Sequence, residues 1–291
     1  MRSSEWVQDE AAPRRSALHG AALPGGPIDR ARDAVSVGPA SIADLGPRAA
    51  GGENEYKADL APMTSKPTKP VPTSERREVR IRPIDGPGHL VLRETGNLVE
   101  LVAGQVVLLS SAALGTEHAF GRLSATLGRG APRRIVVGGL GFGATLRGVL
   151  DVAVPEASVV VVEKVDAIIR LVRGPLAFIA EHALDDARVK VVRGDVSTVV
   201  AQAAGDVDLI LLDVDNGPHW ASFRTNARLY SPAGLAAFKR ALVGGGVLAV
   251  WSGYRSDPFL GHLRGAGFTP SVVPLAEQGR VRARAYVGCA C

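Results

Sequence analysis

Two carboxylates stand two positions apart where an apolar run ends. Leu209-Ile210-Leu211-Leu212 leads into Asp213-Val214-Asp215-Asn216-Gly217-Pro218. Asp213 and Asp215, in a loop that follows a buried strand, suit a general base or a cation clamp. Asn216-Gly217-Pro218 is turn chemistry, which accounts for the bend but not for both acids. His219 and Trp220 come next. A His beside a Trp reads first as lid packing and second as a catalytic group.

A second group of residues suits a nucleoside. The run Ile135-Val136-Val137 passes straight into Gly138-Gly139-Leu140-Gly141-Phe142-Gly143. Gly139, Gly141 and Gly143 alternate, which lets a backbone approach a ligand closely and turn tightly into a following helix. The spacing is not the G-x-G-x-x-G of dinucleotide enzymes. Glu163 ends the next apolar run, twenty positions beyond Gly143. An acid there can accept both ribose hydroxyl protons. Asp195 ends the run after that and is placed to accept from an adenine amino group, although Gly194-Asp195 is also plain turn chemistry.

These residues need a scaffold that brings strand ends together. After Pro132 the chain alternates strand and helix, with strands expected at 135–137, 159–162, 189–192, 209–212 and 247–250. Helices are expected over 144–152, 165–178, a short stretch ending at Val199, and 233–242. Near-continuous Val, Ile and Leu mean strands buried on both faces, and the alternation means right-handed crossovers. The fold class is therefore α/β, a doubly wound, Rossmann-like, mostly parallel sheet with ligands outside the carboxyl ends of its strands. Before it, four short runs from Glu78 to Leu109, punctuated by Gly turns, form a small antiparallel β unit, and a helix follows over 117–127. Residues 1–75, rich in Pro, Gly, Ser and Arg, read as a disordered extension and linker, with Met63 as an alternative start. The expected division is 1–75, a β unit over 76–115, and a nucleoside-binding domain over 116–291.

Composition narrows the classes. Of 291 residues 46% are hydrophobic and only 5% aromatic, which suits a parallel sheet wrapped by helices. The net charge of +5 comes from scattered Arg and Lys and does not point to nucleic acid. No stretch reaches the roughly 18 uninterrupted apolar residues of a membrane helix, and the first residues, which lack an apolar run, do not read as a secretory signal. A cytoplasmic protein is the expectation. Cys289 and Cys291, with one residue between them, read as a frayed tail in a reducing compartment rather than a disulfide framework.

Together these blocks resemble the spermidine synthase family of polyamine aminopropyltransferases, within the class I S-adenosylmethionine-dependent methyltransferase fold. The resemblance spans roughly residues 78–270. It is carried by the glycine loop with Thr145-Leu146-Arg147, by Val162-Glu163, by Arg188-Val189 through Gly194-Asp195, and by Asp206 through Asp213. Leu229-Tyr230-Ser231 and the stretch from Lys239 to Leu248 close it. It implies ribose binding at Glu163, adenine binding at Asp195, a base at Asp213, and an acceptor side that includes Glu117, His219 and Tyr230. Three departures stand out. Phe142 occupies the place of the family's aspartate for the donor amine. The second loop acid, Asp215, is shifted by one position. Gly115-Thr116-Glu117-His118 lacks the family's tyrosine before the glutamate.

The resemblance implies a co-substrate, decarboxylated S-adenosylmethionine or S-adenosylmethionine itself, with no metal. It implies a small amine or other nucleophile as partner, a role in polyamine biosynthesis, and an assembly compatible with a homodimer. Three functions stay open. The first is transfer of an aminopropyl group to an amine or polyamine. The second is methyl transfer from S-adenosylmethionine, favoured by Phe142, because a missing carboxylate no longer repels the methionine carboxylate. The third is nucleoside binding without catalysis.

Overall fold

The computed structural model describes residues 76–81, 90–214, 217–218 and 224–291, all within one compact unit. The readings of residues 1–75 and of Asp215 and His219 lie outside the described residues.

Four short strands open the described chain: β1 (Arg76–Ile81), β2 (Leu90–Thr95), β3 (Leu98–Ala103) and β4 (Val106–Ser110). They pair in sequence order, each antiparallel to the next, as short strands joined by tight connections do. The inner residues Leu90, Leu92, Val99 and Leu101 are buried against Phe142, Leu171 and Leu176. Phe142 therefore leaves the glycine loop and plugs the core under the small sheet.

The large sheet has seven strands in the order β10-β11-β9-β8-β5-β6-β7. Its expected five are present as β5 (Arg134–Gly138), β6 (Ser158–Glu163), β7 (Val189–Arg193), β8 (Val207–Leu212) and β9 (Leu242–Ser252), all parallel. Two more, β10 (Thr269–Glu277) and β11 (Arg280–Cys289), form a C-terminal hairpin antiparallel to β9. Helices α1 (Gly115–Arg122), α2 (Ala144–Leu150), α3 (Asp166–Arg173), α4 (Val196–Ala201), α5 (Pro232–Ala241) and α6 (Pro258–Gly265) surround it. The strand order reverses between β5 and β8, so their carboxyl ends open the crevice where ligands bind in such sheets.

Three expectations are corrected. The helix expected over 165–178 ends at Arg173, because Gly174 precedes Pro175 and a residue before proline is pushed out of the α region. The helix expected over 117–127 begins earlier, at Gly115, and tightens into a 3-10 turn over Leu123–Ala125. The cysteines are not a frayed tail. Cys289 ends β11 opposite Val247, the backbone of Ala290 exchanges hydrogen bonds with Gly245 and Gly246 at 2.8 Å, and a disulfide joins Cys289 to Cys291. Among the described residues no helix is long and apolar enough to cross a membrane.

Candidate active site

The glycine loop runs between the ends of β5 and α2. Gly139 has φ +93°, and a Cβ there would stand 2.1 Å from the carbonyl oxygen of Asp213. Gly143 has φ +87°, and a Cβ there would stand 2.6 Å from that of Ala180. Both positions thus require glycine on two counts, a left-handed backbone and close packing. Gly141 also has positive φ, but the nearest atom to a Cβ there is 3.5 Å away, on Leu109.

Glu163, at the end of β6, is 7% exposed. Its Oε2 accepts from the backbone N–H of Leu140 at 2.9 Å, and its Oε1 from that of Val165 at 2.7 Å. Burial raises its pKa, against the opposing pull of backbone N–H donors that include Val165 and Leu140. The backbone N–H groups of Val165, Leu140, Lys164 and Gly141 all bear on this carboxylate, which offers about four acceptor directions, so a ribose hydroxyl would share an oxygen with them.

Asp195 caps α4, accepting from the Ser197 N–H at 3.0 Å and its hydroxyl at 2.5 Å. The Arg228 guanidinium pairs with its other oxygen, and Lys164 Nζ lies 3.5 Å away. Burial pushes its pKa up, but the Ser197 and Arg228 hydrogen bonds prevail and hold it below the usual carboxylate range. An adenine amino group at Asp195 would share the carboxylate with Arg228.

The second part of the site lies at the ends of β8 and β10 and in the first turn of α1. The Asp213 N–H donates to the Gly138 carbonyl at 2.8 Å, which carries the β5–β8 pairing to its last residue. Asp213 Oδ2 accepts from the Thr145 hydroxyl at 2.5 Å, and the same hydroxyl lies 3.2 Å from the Glu117 carbonyl oxygen. Burial, partly offset by the Thr145 hydrogen bond, pushes the Asp213 pKa up to about 6. Glu117 is held well above the usual range, by burial first and then by the negative charges of Asp213 and Glu277. Among the described residues no hydrogen-bond partner or cation faces the Glu117 carboxylate.

Packing sets this geometry. Helices α1 and α2 meet backbone to backbone. A Cβ on Gly121 would stand 2.0 Å from the Thr145 carbonyl oxygen, and one on Gly148 would stand 2.1 Å from that of His118. The two glycines let α1 lie close enough for Thr145 to reach both Glu117 and Asp213. Glu277, the last residue of β10, lies over Gly115, where a Cβ would stand 2.3 Å from its Oε1. The first turn of a helix is a favourable place for a negative charge, which offsets part of the repulsion between Glu277 and Glu117 there.

Tyr230, a sequence candidate, is 6% exposed and sits edge-on to Phe259 at 5.8 Å. It lines a cleft of about 460 Å³ with Ser231, Leu235, His262 and Ala266, apart from the Asp213 group. Thr145 and Glu277 were not among the sequence candidates. Thr145 follows the glycine loop directly, which was an available signal. Glu277 had none, since only the fold of the hairpin brings it near α1.

No protein-family model matches the chain, and no curated protein matches it. In fold it is similar to a spermidine synthase solved in complex with the transition state analogue AdoDATO. That likeness has a TM-score of 0.58 and 17% identity over 73% of this chain and 74% of that one. It is also similar to the spermidine synthase of Thermotoga maritima, with a TM-score of 0.54 and 18% identity over 72% of each chain. A probable spermidine synthase from Corynebacterium glutamicum matches with a TM-score of 0.50 and 17% identity, over 76% of this chain and 81% of that one. At these identities the likeness is one of fold.

Proposed function

We propose that the chain is an aminopropyltransferase-like enzyme that takes decarboxylated S-adenosylmethionine as donor and an amine or polyamine as acceptor. The observation that carries this reading is the grouping of Glu117, Asp213 and Glu277 beside the glycine loop, with no cation facing Glu117 among the described residues. Such a group attracts an ammonium ion and repels a carboxylate. A decarboxylated donor, whose tail ends in an amine, suits it better than intact S-adenosylmethionine.

In this reading Gly139, Gly141 and Gly143 admit the donor, Glu163 holds its ribose and Asp195 its adenine. The acceptor nitrogen must shed a proton before it can attack. Its lone pair forms a bond to the carbon beside the sulfonium. The carbon–sulfur bond breaks, and the sulfur keeps the electron pair as a neutral thioether. The proton released from nitrogen goes to Asp213. A carboxylate titrating at about 6 is still ionised at neutral pH, and it is a stronger base than an ordinary aspartate.

One observation favours a second reading, methyl transfer from intact S-adenosylmethionine. Phe142 is 2% exposed and packs under the small sheet, so it offers no charge to a donor amine. Calorimetric titration with both donors, followed by mass spectrometry of products from a panel of amines, separates the two. Tighter binding of the decarboxylated donor and an aminopropylated product are expected; a methylated product would establish the second reading instead. Asp213→Asn should keep donor binding while turnover falls roughly 10²–10⁴-fold, the usual contribution of a positioned base. Full activity of that variant would remove Asp213 from the chemistry.

A further inference from the structure

The two oxygens of the Asp213 carboxyl group have unlike surroundings. Oδ2 accepts from the Thr145 hydroxyl at 2.5 Å, whereas Oδ1 receives no hydrogen bond from the described residues. Thr145 is 2% exposed, and the Glu117 carbonyl oxygen lies 3.2 Å from its hydroxyl on the other side. A threonine hydroxyl has one hydrogen to give and two lone pairs. With Asp213 ionised, the hydrogen points at Oδ2. With Oδ2 protonated, the hydroxyl accepts from it and turns its own hydrogen to the Glu117 carbonyl. Rotation about one C–O bond serves both states and keeps Oδ2 and the hydroxyl paired in each.

We propose that Thr145 is the positioning residue of this site: its hydroxyl holds Asp213 in one rotamer through both protonation states and leaves Oδ1 free for the acceptor's proton. This rests on Asp213 being the base. Threonines in helices commonly return their hydroxyl to a carbonyl of their own preceding turn. Thr145 instead bridges two other elements, α1 and the end of β8. The charged groups that bear on Asp213 from around it are acids, Glu117 directly and Glu277 beside Glu117. Among the described residues, the hydrogen bond from Thr145 is thus the interaction that favours the ionised side chain.

The test compares Thr145→Val, which keeps the shape but removes the hydroxyl, with Thr145→Ser, which restores it. The primary readout is the carbon-13 titration of the Asp213 carboxyl group in the full chain, which needs no substrate. Thr145→Val should raise the midpoint by about half to one pH unit, the worth of one net hydrogen bond. Thr145→Ser should return it to the wild-type position. In the transferase assay, the acid limb of the pH–rate profile should move by the same amount, with donor affinity unchanged. An unmoved midpoint in Thr145→Val overturns the proposal, as does a Ser variant that shifts as far as Val, since the methyl group would then be what matters. Should Thr145→Val fail to fold, Thr145→Ala read at the same carboxyl decides in the same way. A fully active Asp213→Asn combined with a shifted midpoint would instead strike at the functional reading and leave the Thr145–Asp213 coupling standing.

Discussion

The Glu163 carboxylate accepts a hydrogen bond from the backbone N–H of Leu140, 2.9 Å away, and so ties the end of β6 to the middle of the glycine loop. The same side chain receives the Val165 N–H as the chain leaves the strand. One buried acid thus organises the loop at the rim of the sheet.

Glu163→Ala should therefore weaken the donor and loosen the loop together. Each charge-assisted hydrogen bond lost to a ribose hydroxyl is worth about 1.5–3 kcal/mol, and each backbone N–H left buried without an acceptor costs about 1–3 kcal/mol. Calorimetry should show a dissociation constant for the adenosine-containing donor at least about tenfold higher. An unchanged constant alongside a lowered melting temperature would confine Glu163 to the loop and remove it from the ribose.

Gly121→Ala should disturb the site from a distance. A Cβ there would stand 2.0 Å from the Thr145 carbonyl oxygen and 2.8 Å from the Val149 nitrogen. Neither contact can be relieved by a flexible side chain, so α1 must move away from α2. Overpacking of this kind costs about 1–3 kcal/mol or more. Glu117 travels with α1, so acceptor KM should rise more than donor Kd. An Ala variant with wild-type stability and kinetics would show that the two helices are not held this closely.

Much of this arrangement was legible in the sequence because it depends on short-range patterns. Val159–Val162 and Leu209–Leu212 declare buried strands, and Glu163 and Asp213 declare their ends. The alternating glycines before Thr145 mark the loop. The C-terminal part was harder to read. β10 carries Pro270 and Pro274, residues that remove ladder donors and argue against a strand, yet they fit because β10 is the edge of the sheet. β11 alternates Arg280, Arg282 and Arg284 with Val281, Ala283 and Ala285, a period-two signal; of the second set, Ala283 and Ala285 are the buried ones. Glu277 could not be placed from sequence at all, since its neighbours Gly115 and Glu117 lie about 160 positions away and meet it only through tertiary packing.

Glu277→Gln tests the acceptor side directly. The substitution keeps the side chain's size over Gly115 and removes one negative charge beside Glu117. The pKa of Glu117 should fall, because one of the like charges that raise it is gone. For a cationic acceptor, loss of one partly exposed charge partner worth about 0.5–1 kcal/mol should raise KM roughly two- to fivefold. Donor affinity should not change. A variant whose acceptor KM matches the wild type across a series of mono- and diamines would show that Glu277 does not face the acceptor.

Asp213 should make the protein less stable as the pH rises. Burial pushes its pKa from an ordinary 3.8 up to about 6 in the folded chain. Between those two values the folded state binds a proton that the unfolded state has released. Stability falls through that window and the loss is complete above about pH 6. Glu117, also raised, acts in the same direction. Asp213→Asn keeps an oxygen for the Thr145 hydroxyl and removes the charge. The variant should be more stable than the wild type at pH 8, by on the order of 1–3 kcal/mol for a shift of about two units on a partly exposed group. At pH 3.5, where the wild-type carboxyl is protonated in the folded state and mostly protonated in the unfolded one, the two proteins should unfold at nearly the same urea concentration. An Asn variant equally stabilised at both pH values would trace the gain to packing rather than charge. One less stable than the wild type at pH 8 would mean that the ionised Asp213 is held by favourable contacts, and that its carboxylate is not the strained, proton-seeking group the reaction requires.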